Sequence, residues 1–408
     1  MSTIPSISLI PSGYKANKVY SVLPTDGAAD LTFARTSSAN RVNSDNLIEE
    51  VATGVPRLDY TGGGCPSLLL EPQSANLITY PLSFDNAYWN KAGAGISIAP
   101  SVTSNYSISP DGTQNADRII FDLNGGSTSS DFSQLQSSQL VMSGDYTNSI
   151  YLKSNTGSNY TFTYTDPTGS TTTITVTSEW IRFDTTAISV STTTEPLKLR
   201  LRGGSEATSI YADISIFGAQ IEQQSFATSL MLPNTEGSTV TRVAETASKT
   251  GLESYIGQTE GYIYVHFTRN GNEVSRGGLV YLRQASFRGL SINYGSNKLY
   301  FTSRNNSGLD IVEIKSSFLI NETAKVAINY DNNGGVAGGQ GVFDAYINGV
   351  KVITEGVYNI PDINIDELRL SYGSNSGSDS EVTANAIKEF RNGKTNLADS
   401  EYITLTTI

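Results

Sequence analysis

The residues able to do chemistry are few and widely spaced. The chain has one cysteine, Cys65, and one histidine, His266. A thiolate nucleophile needs a base within hydrogen-bond reach, so the fold would have to bring these two together. Cys65 lies in "PRLDYTGGGCPSLLLEPQSANLITYPLSFDNAYWNK", Pro56 to Lys91, between Asp59 and Glu71, which would be the acids of an enzymatic rim. The same stretch also reads as a rigid strap. Consecutive glycines open backbone paths closed to other residues, and Pro56, Pro66, Pro72 and Pro81 fix bends. Leu68, Leu69 and Leu70 can enter apolar grooves, and Arg57 and Glu71 can form an ion-paired hydrogen bond where they meet. In this reading, which accounts for more of the residues, Cys65 is an inert thiol. Arg57, Tyr60, Leu69, Leu70, Glu71 and Trp89 are then anchor residues.

Other chemistries have candidates by residue type. Glycoside hydrolysis needs two carboxylates at a fixed separation. Asp344, Asp362, Asp366 and Glu367 are available, but no neighbouring motif forces their geometry, and they also fit solvated strand rims. Sugar binding needs an exposed ring to stack on a pyranose and a few hydrogen-bonding partners. The rings considered are Trp89, Trp180, Tyr262, Tyr264, Tyr281, Tyr294 and Tyr330. Tyr294 and Tyr330 lie beside Asn- and Gly-rich loops, and Tyr262 and Tyr264 share strand parity with His266. Asp331, Asp379 and Glu381 offer hard oxygen ligands of the kind Ca²⁺ takes, without the twelve-residue calcium-loop pattern. "TGGG" lacks the Lys-Ser/Thr of a phosphate loop, and no other cofactor is expected.

The elements that must position these residues read as strands. Hydrophobic residues make up 38% and charged residues 16% of 408 positions, with 22 tyrosines. This composition suits β-sheets with wet loops better than α/β layers. The net charge of -12 argues against nucleic-acid binding. A single cysteine excludes an internal disulfide framework. The first residues lack the basic start and apolar core of a signal peptide, and no stretch is long and apolar enough to span a bilayer as a helix. Release by lysis or carriage in a particle fits better than secretion.

Residues 1–82 read as extended pieces broken by prolines, unable to bury a core alone and expected to lie along a larger domain or a neighbouring subunit. From 83 to 250, "YTNSIYLKS", "NYTFTYTD", "TTTITVTSEWIRFDTT" and "IYADISIFGAQIEQ" alternate apolar and polar residues. From 251 to 408 the pattern repeats, with Asn348-Gly349 as a two-residue hairpin turn, "IKEFR" as a closing strand and "NLADSEYITLT" as a short capped helix. Paired strands without intervening helices predict an all-β fold: an extended N-terminal region followed by two antiparallel β-sandwich (jelly-roll) domains.

Residues 30–120 resemble bacteriophage tail and virion appendage proteins. The shared pattern runs through Phe33, Ala34, Arg35, Ala39, Arg41 and Val42, then Pro56, Arg57, Asp59 and Tyr60. It continues through Leu69, Leu70, Glu71, Pro72, Gln73, Asn76 and Leu77 to Phe84 and Trp89, with "SPDGTQNADRI" following. "FDAYINGVKV", "IDELRLSYG" and "IKEFRNGKTNLADSEYITL" resemble concanavalin-like or laminin-G-like sandwiches. The resemblance implies a structural virion protein, a head or tail fibre or decoration subunit. It implies docking on capsid or tail proteins through residues 1–82, self-association as a homotrimer, and contact with host surface glycans. No membrane insertion is expected. The rival readings are a free carbohydrate-binding protein, a glycan-degrading enzyme, and a scaffold that binds no sugar.

Overall fold

The computed structural model describes residues 4–138, 140, 142–193, 197–204, 208–271, 277–284, 288–333, 340–361, 364–372 and 383–408. The fold is all-β, and every strand pairing among the described residues is antiparallel. Two compact units are formed. The first comprises Met1–Asn46, Glu50–Gln73 and Val243–Ile408, and the second Leu47–Glu49 and Ser74–Arg242.

In the first unit an eight-stranded sheet runs Val350–Asn359, Gln340–Ile347, Thr323–Asp331, Glu260–Arg269, Asn385–Gly393, Ser67–Leu70, Arg57–Asp59, with Ile7–Leu9 also paired to Asn385–Gly393. A nine-stranded sheet runs Tyr14–Lys15, Lys18–Val19, Leu31–Ala34, Thr246–Lys249, Glu367–Tyr372, Gly277–Arg283, Gly289–Gly295, Lys298–Asn305, Gly308–Lys315. One apolar core takes Leu68, Ile263, Val265, Phe267 and Phe390 from the first sheet and Phe33, Leu282, Ile292, Phe301 and Leu370 from the second. Alternation explains the choice, because successive side chains in a strand point to opposite faces.

The early segment is woven into both sheets instead of forming a layer of its own. Its strands Ile7–Leu9 and Leu31–Ala34 have 3 and 4 residues, too short to show a period in the sequence. They are stabilised by partner strands from the far end of the chain: Ile7 lies opposite Asn392, and Phe33 opposite Ala247. Gly62, Gly63 and Gly64 all have positive φ, at 85°, 75° and 77°. They turn the chain between Arg57–Asp59 and Ser67–Leu70, a path that side chains with a Cβ resist.

Asn348 and Gly349, at φ 50° and 80°, turn Gln340–Ile347 into Val350–Asn359 as a hairpin. Gly349→Ala is expected to cost about 1 kcal/mol in urea unfolding, since the new Cβ would also stand 3.1 Å from Thr407 Oγ1. An unchanged midpoint would show that the turn tolerates the strain. The helix read near the C-terminus is Asp399–Thr406.

The second unit has two five-stranded sheets. One runs Asn90–Ala94, Phe132–Gln136, Lys198–Arg202, Tyr160–Thr165, Thr171–Val176. The other runs Ile98–Ser107, Ala116–Asp122, Tyr211–Glu222, Met142–Ser154, Ile181–Thr193. Their shared core holds Phe84, Trp89, Phe121, Leu135, Phe162, Leu199 and Ile214. No helix among the described residues is long and apolar enough to cross a membrane.

Candidate functional site

The tyrosines chosen from the sequence as sugar platforms are interior. Tyr262, Tyr264, Tyr294 and Tyr330 are 2%, 1%, 0% and 1% exposed, so none offers a ring face to a pyranose. Tyr294 and Tyr330 lie on the core side of their strands, where their hydroxyls donate to Ala384 O at 3.0 Å and Gly257 O at 2.8 Å. Tyr262 and Tyr264 are on the outer face of the eight-stranded sheet, but the C-terminal helix covers them. They cluster with Tyr346 and Tyr402, whose rings stack at 4.7 Å. Burial pushes the phenol pKa of Tyr262, Tyr264 and Tyr330 above the usual range.

His266 follows these tyrosines on the same strand, opposite Lys325 and Glu389. Burial first, then the charges of Lys325 and Lys388, bring its pKa down to about 4 against the opposing pull of Glu389. The unfolded chain binds the proton more readily, so this residue withdraws stability as pH falls from about 6.5 to about 4. Replacing His266 with glutamine is expected to remove on the order of 2–3 kcal/mol of that acid-side loss. Unfolding free energies measured at pH 7 and pH 4 would show it, and an unaltered pH dependence would contradict it.

The other sequence candidates are structural or isolated. Cys65 is exposed. Asp331 accepts from the Asn333 N–H at 2.7 Å, capping its own turn, and among the described residues no three His, Cys, Asp or Glu side chains gather as a metal site. Asp379, Glu381 and Asp362 lie outside the described residues. Asp344 binds Lys351 and Asn329 and takes the Glu355 N–H. Glu367 is paired with Arg283 at 2.8 Å. Trp89 is 1% exposed, packs against Phe84 with the rings tilted at 38°, and donates to Tyr80 O at 2.9 Å. Trp180 is half-buried and donates to Ile108 O.

Arg57 and Glu71 do meet, at 2.8 Å, and a third residue joins them that sequence reading missed. Glu245 Oε1 accepts from Arg57 Nε at 2.9 Å and Arg35 Nη1 at 2.7 Å. Its Oε2 accepts from Arg57 Nη2 and from the Glu71 N–H at 3.1 Å. All four side chains are buried. Burial works to lower the Arg57 pKa, but the charges of Glu245 and Glu71 outweigh it and raise the value. Two guanidiniums and two carboxylates balance, as buried charges must. Tyr60 is half-buried, and Leu69 and Leu70 are buried in their strand. These motif residues hold the first unit together from inside.

A surface site with binding chemistry lies on the second unit, on the outer face of the sheet containing Ala116–Asp122 and Tyr211–Glu222. Alternation sends Ile119, Phe121, Ile214 and Ile216 inward and leaves Arg118, Ile120, Asp122, Asp213 and Ser215 on the other face. Arg118 grips Asp213 with two nitrogens, Nε to Oδ1 at 2.9 Å and Nη2 to Oδ2. Asn155 Nδ2 donates to the same Oδ1 at 2.8 Å. Its amide oxygen accepts from Ser215 Oγ at 2.7 Å, and Ser215 in turn lies 2.7 Å from Ser107 Oγ. The Arg118 guanidinium sits 5.0 Å from the centre of the Tyr106 ring, within cation–π range. Tyr106 and Tyr211 are 44% and 40% exposed.

The electrostatics keep this network fixed. The hydrogen bond from Arg118, followed by that from Asn155, holds the Asp213 carboxyl below the usual carboxylate range against the opposing effect of burial. The bond to Asp213 likewise raises the Arg118 pKa. An ionised, doubly gripped carboxylate is a poor proton donor and a good hydrogen-bond acceptor. The face therefore presents two half-exposed rings and the partly exposed Arg118 guanidinium, held from below by Asp213 and Ser215, which are 5% and 0% exposed.

No family model matches the chain, and no curated protein matches it. Among solved structures, partial likenesses exist. The carbohydrate-binding module CBM40 of the Ruminococcus gnavus IT-sialidase, bound to α2,3 sialyllactose, is 16% identical over 37% of this chain and 84% of that one, with a TM-score of 0.31. The receptor binding domain of botulinum neurotoxin C/D mosaic serotype is 10% identical over 40% of each chain, with a TM-score of 0.32. Leech intramolecular trans-sialidase is 17% identical over 37% of this chain and 24% of its own, with a TM-score of 0.30.

Proposed function

We propose that this chain is a non-catalytic carbohydrate-binding protein whose glycan site is the outer sheet face around Arg118 and Asp213. The observation that carries the reading is the placement of half-exposed Tyr106 and Tyr211 beside the partly exposed Arg118 guanidinium, which buried Asp213, with Asn155, Ser215 and Ser107 behind it, holds in place. Aromatic rings cover the apolar face of a pyranose, and planar polar groups read its hydroxyls. Rigid, already paired side chains lose little freedom on binding. Hydrolysis would need a second carboxyl able to give up a proton, whereas Asp213 is held ionised and Asp122 caps the Asn124 N–H at 2.7 Å. The test is titration of the full chain with neutral glycans, followed by NMR. Tyr106→Ala is expected to weaken binding about 3- to 10-fold, the worth of one stacking contact. Sugar hydrolysis in the same samples, or binding indifferent to Tyr106, would overturn the reading.

The motif resemblance of residues 30–120 supports a further part of the proposal, that the glycan binder is a structural protein of a bacteriophage particle. Copies associated as a trimer would let weak sugar contacts add through avidity. The motif residues Arg35, Arg57 and Glu71 converge inside the first unit, so docking on the particle would use other surfaces. Co-sedimentation with purified particles, and a trimeric mass in solution, are the expected results. A monomer recovered only as free protein would favour the rival reading of an independent carbohydrate-binding protein.

A further inference from the structure

We propose that the second unit carries another binding face, on the side opposite Arg118, and that it takes a linear glycan bearing carboxylates. This face is the outer surface of the sheet Asn90–Ala94, Phe132–Gln136, Lys198–Arg202, Tyr160–Thr165, Thr171–Val176. Strand alternation builds it. In "KLRLR" Leu199 and Leu201 enter the core between the two sheets, so Lys198, Arg200 and Arg202 project together from the other side. All three are partly exposed. Their strand is the middle one of the five, so the cations form a stripe along the centre of the face. Register supplies their neighbours. Arg200 shares one rung with Ala92, Gln134, Thr163 and Thr173. Arg202 lies opposite Phe132, and Lys198 opposite Gln136. The Arg200 guanidinium stands 5.9 Å from the centre of the Phe132 ring, and Arg202 Nε donates to Ser129 O at 2.6 Å.

Charge sets the class. None of the five strands contains Asp or Glu, in a chain whose net charge is -12. The sheet's remaining cation, Lys91, has the opposite parity and donates to the carbonyls of Phe84, Asp85 and Asn86. A strand-borne stripe of one sign attracts a ligand of the other, and a guanidinium pairs with a carboxylate through two parallel hydrogen bonds. The surroundings narrow the choice among anions. Gln134, Gln136, Thr163 and Thr173 offer amides and hydroxyls, the partners of sugar hydroxyls, and the Phe132 ring can cover the apolar side of a pyranose. Single-stranded nucleic acid needs a series of rings for its bases, and Phe132 is the one ring at an outward position of these strands. A protein partner needs an apolar centre, and here cations hold the centre.

The test is calorimetric titration of the full chain with oligogalacturonate, with a neutral maltooligosaccharide, with oligothymidylate and with oligoglutamate, at low and at high salt. Oligogalacturonate is expected to bind best, several-fold more weakly at high salt, and to move the NMR signals of Phe132–Gln136 and Lys198–Arg202. Arg200→Gln is expected to weaken it about tenfold, the worth of one charge-assisted contact. Arg200→Lys should recover only part of the loss, because the charge returns without the planar fork. Lys198→Gln gives a second reading at the far end of the stripe, and unchanged core signals from Leu199 and Leu201 control for folding. Oligogalacturonate that fails to bind, binds no better than the neutral oligosaccharide, or is indifferent to both Arg200→Gln and Lys198→Gln would overturn the proposal. So would signals that move only in Ala116–Asp122 and Tyr211–Glu222, or tighter binding of oligothymidylate or oligoglutamate. The neutral-glycan reading of the Arg118 face stands or falls separately, by its own Tyr106→Ala titration.

Discussion

Glu245→Ala is expected to cost the first unit about 3–5 kcal/mol, the usual penalty for removing one partner of a buried ion pair. Glu245 is 0% exposed, as is Arg57. Its two oxygens take hydrogen bonds from Arg57, Arg35 and the Glu71 backbone. Removing it leaves two buried guanidiniums facing the Glu71 carboxylate, so positive charge exceeds negative in a site shielded from water. Desolvation of that excess, not the lost contacts, sets the size of the effect. The loss should be strongly non-additive with Arg57→Ala, because deleting one charge removes much of the cost of deleting the other. Urea unfolding followed by tryptophan-independent probes such as backbone NMR signals of the first unit would measure both. A shift below about 1 kcal/mol for Glu245→Ala would mean that water or another group compensates the charge.

Asp213→Asn should be the most damaging conservative change to the proposed glycan binding, about 30-fold or more, corresponding to the 2–5 kcal/mol lost when one member of a hydrogen-bonded charge pair is removed. Asparagine keeps the shape but offers one acceptor in place of two, so the two-pronged grip of Arg118 and the Asn155 bond cannot both persist. Arg118 then turns toward solvent and the Tyr106 ring loses the cation that orders it. Arg118→Lys should be nearly as harmful, because an ammonium cannot reproduce the planar fork. Binding titrations would decide, with unfolding measured in parallel. Binding retained within about threefold would show that the network is surface structure and not a recognition element.

The two halves of this molecule were unequally legible. Long alternating runs such as "GYIYVHFTR" and the Asn348-Gly349 turn specify their own local conformation, and the structure has them as strand Glu260–Arg269 and a hairpin. The first 82 residues read only as short extended pieces, without pairing, because runs such as Ile7–Leu9 are shorter than any period and take their order from partners hundreds of residues away. The tyrosines beside loops looked exposed, yet Tyr294 and Tyr330 are buried. Parity states that two residues share a face, but not whether that face meets solvent, a second sheet or a helix.

Local periodicity and turn chemistry, which act between near neighbours, determined from the sequence that the chain is all-β, where many of its strands lie, and that it closes on a short helix. Tertiary structure decided the sites. Glu245 reaches Glu71 across 174 positions, and Arg118 reaches Asp213 across 95. Which charges neutralise one another, and which rings remain in water, follow from sheet order and register, and these depend on the packing of the whole unit.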